Sequence, residues 1–284
     1  MYYGRGVIRG MASALMLLLL GGGVGAQRPT QKAWFQNIEL CNGVDRTSPD
    51  IQIGGCTALI ESGKGTPQTL VIAYNNRGNA YSAKGEYDRA VQDYDQSIKL
   101  NPNYTQAFNN RGVAYLKKGD YDRAMEDFDE SIKLNPNYAN AFANRAQTYL
   151  NKGEYDRAAQ DYDQAIRLKP TLEAVWSGRC WTRAIAGELQ AALADCNEAI
   201  RLEPNGAATF DSRGLTHLKM GQWDSAIDDY NEALGFNPKL ASSLYGRGVA
   251  KLKTGDTTGG NADIAAARAI DANIVGDFIR YGVQ

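Results

Sequence analysis

Small and apolar positions recur at helical spacing from residue 74 onward. Tyr74, Gly78 and Tyr81 stand at i, i+4 and i+7, and after Gly85 the spacing resumes with Ala90, Tyr94 and Ser97. Each set marks one face of a helix, and Gly85 is the residue type that tolerates a chain reversal between them. Gly78 and Ala90 are small enough to let the two axes approach closely. Asn101-Pro102 ends the second helix, because the residue before a proline is disfavoured in the α region. The pattern then repeats every 34 residues, with Pro at 102, 136, 170, 204 and 238, Gly at 85, 119, 153, 187, 221 and 255, and Ala at 90, 124, 158, 192 and 226. Ala272 stands where the next Pro is due, and Gly260 breaks the Ala series. The period defines six units, 71–104, 105–138, 139–172, 173–206, 207–240 and 241–274. No strand pattern is present.

A strict 34-residue unit with a Pro near its end and a Gly at its middle, written YNNRGNAYSAKGEYDRAVQDYDQSIKLNPNY in residues 74–104, resembles the tetratricopeptide repeat family. The resemblance implies an all-α fold, a right-handed α-solenoid of six helix-turn-helix repeats. One hairpin cannot bury its apolar face alone, whereas stacked neighbours share a continuous core.

The flanks lie outside this register. Residues 27–70 read as a divergent N-terminal capping hairpin, with Trp34, Ile38 and Cys41 on one helical face and a second fragment around Cys56. Ser48-Pro49-Asp50 has the composition of a helix start, and Gly63, Gly65 and Pro67 read as a link to the first unit. At the other end Ala272 in place of Pro lets the helix run on. Ile274, Phe278 and Tyr281 form the apolar stripe of a C-terminal capping helix, of which 275–284 is the end.

One position departs from the family's common pattern. Arg recurs where the family often has an apolar residue, at Arg77, Arg111, Arg145, Arg179, Arg213 and Arg247, and Asp recurs with it at Asp93, Asp127, Asp161, Asp195, Asp229 and Asp263. Each Arg stands on a first helix and each Asp on a second, at roughly opposed levels, which predicts a structural ladder of Arg–Asp pairs within or between units.

Charge and composition narrow the function. With Lys+Arg 31 against Asp+Glu 32, the chain is not built to hold nucleic acid, so no nucleic-acid partner is expected. Arg5 and Arg9, the apolar run Met11 to Leu20, and the small residues Val24-Gly25-Ala26 make residues 1–26 a cleavable secretory signal peptide. Cleavage leaves 29 basic and 32 acidic residues, no stable membrane insertion and a periplasmic or secreted product. Export permits disulfides. Cys41 and Cys56 fall on facing helices of the cap and form one pair; Cys180 and Cys196 occupy positions that face each other in the family's hairpin and form the second.

No catalytic constellation is found. The one His, His217, takes the position of Tyr81 and reads as packing, Gly63-Lys64 lacks the rest of a phosphate loop, and the Asp93-x-Asp95 copies lie on helices without a calcium-ligand loop. The chain is therefore read as non-enzymatic, with no cofactor and no metal. In the family the first helices line a concave groove. Carried over here, Asn75, Asn76, Asn79, Asn109, Asn110 and Asn144 make a carboxamide row, and Asn at the position of Asn76, Asn110 and Asn144 bonds peptide backbone in members that hold extended peptides. The carboxylate clamp of chaperone-binding members needs Lys where this chain has Asn75 and Asn109. Trp181 and Leu215 and Val249 make the later groove more apolar, and Trp181 is a candidate anchor. The expected function is a non-catalytic cell-envelope scaffold, monomeric, that binds an extended polypeptide. The rival reading is a structural protein that self-assembles through its ends or groove.

Overall fold

The computed structural model of the chain describes residues 29–43 and 47–283, so the expected signal peptide lies outside the described residues. The described residues form fifteen helices and no strand. A first hairpin, α1 (Pro29–Asn42) and α2 (Pro49–Glu61), precedes the repeats. The six repeats follow as α3 (Pro67–Ala83) with α4 (Tyr87–Leu100), α5 (Thr105–Lys117) with α6 (Tyr121–Leu134), α7 (Ala139–Asn151) with α8 (Tyr155–Leu168), α9 (Glu173–Ala186) with α10 (Leu189–Leu202), α11 (Ala207–Lys219) with α12 (Trp223–Phe236), and α13 (Ala241–Thr254) with α14 (Thr257–Ile270). A last short helix, α15, spans Ile274–Arg280. Within each unit consecutive helices pack on one another, from α1 through α6 in the first and from α8 through α15 in the second, the arrangement of the α-solenoid class. The chain divides into two compact units, one through Thr148 and one from Tyr149.

Local chemistry explains the boundaries. Ser48 accepts the Ile51 N–H with Pro49 in the first turn of α2, and Thr66 accepts the Thr69 N–H with Pro67 in the first turn of α3. Pro67 thus opens the first repeat helix instead of linking to it, since its missing N–H is one the first turn leaves unbonded anyway. The six mid-repeat glycines all adopt φ between 74° and 96°, a region costly for other residues. Four of the six second helices end on an Asx turn: Asn101, Asn135, Asn237 and Asp271 each accept the backbone N–H two residues on. Asp271 therefore breaks the chain without any proline, and α14 stops at Ile270 where Ala272 alone lets a helix continue.

Within the first, second and fifth repeat hairpins a glycine faces a ring. A Cβ on Gly78 would stand 2.6 Å from Tyr94, one on Gly112 2.7 Å from Phe128, and one on Gly214 2.7 Å from Tyr230, so the aromatic fills the space the missing side chain leaves. In the fourth repeat the same two positions hold Cys180 and Cys196, which form a disulfide. The first hairpin is closed in the same way by Cys41–Cys56, and no cysteine is left free.

Candidate functional site

Two polar ladders and one apolar row lie on the first helices. The arginine ladder is doubly tied. Arg77 donates through Nε and Nη2 to the two oxygens of Asp93, at 2.8 and 2.7 Å, and Arg111 holds Asp127 the same way at 2.9 and 2.7 Å. In the second unit Arg179 holds Asp195, Arg213 holds Asp229 and Arg247 holds Asp263, each through two nitrogens. The remaining guanidinium nitrogen reaches the preceding repeat: Arg111 Nη1 to Asp95, Arg145 Nη1 to Asp129, and Arg179 Nη1 to Asp163, each at 2.6 Å. Asn197 and Asn231 accept the corresponding bond from Arg213 and Arg247, and Thr57 of the first hairpin accepts it from Arg77. A planar fork of donors suits this two-sided task, which a single ammonium cannot perform. Arg77, Arg111, Arg145, Arg179 and Arg213 also lie over an aromatic ring one turn earlier, as Arg179 does over Trp176 with 4.9 Å from its Cζ to the ring centroid, whereas Arg247 has Leu244 there.

The Asp residues of the ladder are buried, Asp161 included. Burial pushes the Asp93 and Asp127 carboxyls upward, with Arg77 and Arg111 offsetting part of that cost. Asp263 also bears a burial penalty, but Arg247 and Lys251 outweigh it and hold the carboxyl below its ordinary value. Lys251 belongs to a second basic set: where the first three repeats have Tyr81, Tyr115 and Tyr149, the last three have Arg183, His217 and Lys251. Arg183 Nη1 is 2.7 Å from Asp195, His217 Nδ1 is 2.8 Å from Asp229, and Lys251 Nζ is 2.9 Å from Asp263. His217 is thus a polar partner of the ladder rather than apolar packing. The replacement of Tyr by Arg, His and Lys at one register position is legible in the sequence, but its meaning depends on the Asp that each one meets on the second helix.

The structure brings the carboxamides together. Asn110 Nδ2 donates to Asn75 Oδ1 at 2.9 Å and to Asn79 Oδ1 at 3.0 Å, Asn144 Nδ2 donates to Asn109 Oδ1 at 2.9 Å, and Asn76 Nδ2 donates to the Cys41 carbonyl at 3.2 Å. Asn79 also accepts from the Tyr94 hydroxyl at 2.8 Å. Asn75, Asn76, Asn109, Asn110 and Asn144 are buried, so the row joins repeat to repeat. The row does not continue past Asn144, where the register has Gly178, Ser212 and Gly246. At Gly178 and Gly246 a Cβ would stand 2.6 and 2.3 Å from Cζ of Tyr162 and Tyr230, whose rings take the volume an Asn needs. Other polar contacts replace it: Thr209 donates to Glu173, and Asp211, at the position of Asn75, accepts from Ser243 at 2.5 Å and Ser242 at 2.8 Å. Burial pushes the Asp211 carboxyl up to about 6, the two serine bonds offsetting it in part. Nothing in the sequence alone marks Asp211, because its partners come from the next repeat.

Trp181 lies in an apolar cluster with Leu215 and Val249, as the register implies, but its face is not open. Tyr281, from the C-terminal end of the chain, packs edge-on against it with ring centroids 5.2 Å apart. Among the described residues no group of three His, Cys, Asp or Glu side chains could hold a metal ion. No helix among them is long and apolar enough to cross a membrane.

Comparison with known proteins agrees with this architecture. The family described as TPR repeat matches residues 78–119 and 214–255, and that described as tetratricopeptide repeat matches 105–138 and 139–172. No curated protein matches the chain. A tetratricopeptide repeat protein from Parabacteroides merdae superposes with a TM-score of 0.64 at 18% identity, over 89% of this chain and 98% of that one. The Pseudomonas aeruginosa protein pilF gives 0.64 at 15% identity, over 76% and 96%. YrrB, described as a TPR protein with an unusual peptide-binding site, gives 0.50 at 21% identity, over 66% and 95%. At these identities the likeness concerns the fold, and it meets the repeat-by-repeat match of sequence and geometry: the chain belongs to the tetratricopeptide repeat family.

Proposed function

We propose that this protein is a non-catalytic scaffold of the bacterial cell envelope that binds an extended polypeptide along its first helices. Repeats of this family form protein–protein interaction scaffolds, and the finer reading rests on the first helices of this chain. The observation that carries it is the chemistry of those helices, carboxamide-lined in the first unit, where Asn110 donates to both Asn75 and Asn79, and apolar around Trp181 in the second. The buried members of the row hold Asn79, its half-exposed member, in place, and a carboxamide carries a donor and an acceptor together, the pair that peptide backbone requires. The peptide-binding site of YrrB is in keeping with this use of the fold. Two disulfides support passage through an oxidising compartment. The signal peptide proposed for residues 1–26 accounts for that passage.

The test is capture of partners from envelope extract by residues 27–284, beside a variant carrying Asn79→Ala and Asn110→Ala whose helicity is checked by circular dichroism. A partner retained by the parent chain and lost by the folded variant supports the reading. Identical capture by both chains overturns the carboxamide row as the contact surface.

A further inference from the structure

Residues 274–283 do more than cover the last repeat. A helix that only capped the last repeat would touch α13 and α14. Here Phe278 of α15 packs on Tyr245 of α13, with centroids 4.7 Å apart, and Tyr281 reaches Trp181 of α9, two repeats earlier. Gly282 then lies beside Lys219 of α11, 3.6 Å from its Nζ at the point where a Cβ would stand. The segment thus crosses the first helices of repeats six, five and four, on the residues that the register assigns to the inner surface. Phe278 is 1% exposed, and Ile274, Phe278, Tyr281 and Val283 share one apolar cluster with Trp181 and Leu215.

From this we infer that the apolar half of the groove is a binding surface for a short helix presenting two aromatic side chains at i and i+3, and that residues 274–283 are its resident, displaceable occupant. The inference rests on the groove reading and names the chemistry that its apolar half accepts. Seven residues are too few for a helix to persist in water unaided, so α15 owes its order to the surface on which it lies. Tyr281 and Phe278 also contact each other, with centroids 5.8 Å apart, and so enter the site as a unit. A partner helix with the same aromatic pair makes the same contacts and competes for them.

The test uses the full mature chain with a specific protease sequence inserted after Ala272, cut after folding, and stripped of the released segment by gel filtration. A fluorescent synthetic peptide of residues 273–284 is titrated by anisotropy. Binding at least tenfold tighter to the cut chain than to the uncut one is expected, with loss of that gain when the cut chain carries Trp181→Ala or the peptide carries Phe278→Ala and Tyr281→Ala. A helical cut chain that ignores the peptide, or binds it equally with Trp181→Ala, overturns the inference. Should cutting unfold the second unit, the uncut Phe278→Ala, Tyr281→Ala chain decides: it too must bind the peptide at least tenfold tighter than the parent. Partner capture by the unmodified chain together with failure of the peptide arms overturns this inference alone and leaves the groove reading standing.

Discussion

At the scale of single residues, the arginine that departs from the family's usual apolar position sets the energetics of each repeat. Arg111 lies between Asp127, almost wholly buried, and the half-exposed Asp95. Arg111→Ala leaves Asp127 buried without its cation, so the loss belongs with broken buried pairs, discounted for the partial exposure of the arginine, at about 2 to 3 kcal/mol rather than the roughly 0.2 to 1 kcal/mol of an exposed pair. A urea titration reads this directly, and an unchanged midpoint contradicts it. Asp211 makes the opposite kind of prediction. Its carboxyl is raised in the folded chain to about 6, above the unfolded value, so its contribution to stability is fully present below about pH 4 and is lost as pH rises through about 6. Asp211→Asn keeps an acceptor for the serines without the charge. It should therefore exceed the parent in stability at pH 7 by on the order of 2 kcal/mol, with the gap closing toward pH 4. Thermal melts across that range measure it, and a gap that does not narrow as pH falls refutes it. The Arg–Asp pairing was legible in the sequence because two residue types recur in step. The Asp211 contact was not, since a single Asn-to-Asp change among repeats says nothing of the two serines that meet it from the next helix.

At the scale of helices, the positions that looked permissive are filled. Gly112→Ala adds helix propensity, yet its Cβ would stand 2.7 Å from the ring of Phe128. The overpacking cost, about 1 to 3 kcal/mol, outweighs a propensity gain near 1 kcal/mol, and net destabilisation is expected in chemical denaturation. The disulfide in the fourth repeat substitutes a covalent link for this ring-on-glycine contact. Its two cysteines are 16 residues apart, so on the chain-entropy account selective reduction should cost about 3 kcal/mol. Peptide mapping after alkylation, with and without reductant, identifies the bridge, and the same urea titration on the reduced form measures its worth. Helix existence was readable from period alone, whereas two boundaries were not. Thr66-Pro67 is a helix start that the neighbouring Gly63 and Gly65 disguise as a linker. The stop at Asp271 resides in a side chain bonding to its own backbone, which a search for proline passes over.

At the scale of the whole molecule, the six repeats are chemically two sets. Repeats one to three carry Tyr81, Tyr115 and Tyr149 and the carboxamide row; repeats four to six carry Arg183, His217 and Lys251, a disulfide and the apolar row beneath α15. The family, the repeat count and the register could all be read from the sequence, because 34-residue periodicity is written many times over. The return of the C-terminal segment to Trp181 could not, since contact between residues 100 positions apart leaves no trace in a local pattern.

The two-sided grip of the arginines has a genetic corollary. Arg111, Arg179, Arg213 and Arg247 each read their own Asp 16 residues on and a polar residue 16 residues back in the repeat before. Removal of residues 105–138 brings Arg145 behind Asp95 and Asn144 behind Asn75 at the spacing they had to Asp129 and Asn109. The shortened chain should fold with its joints intact, verifiable by a cooperative melt and by crystallography. Loss or duplication of whole 34-residue blocks by recombination is thereby nearly neutral for this array, while a change of one residue in block length breaks both joints at once.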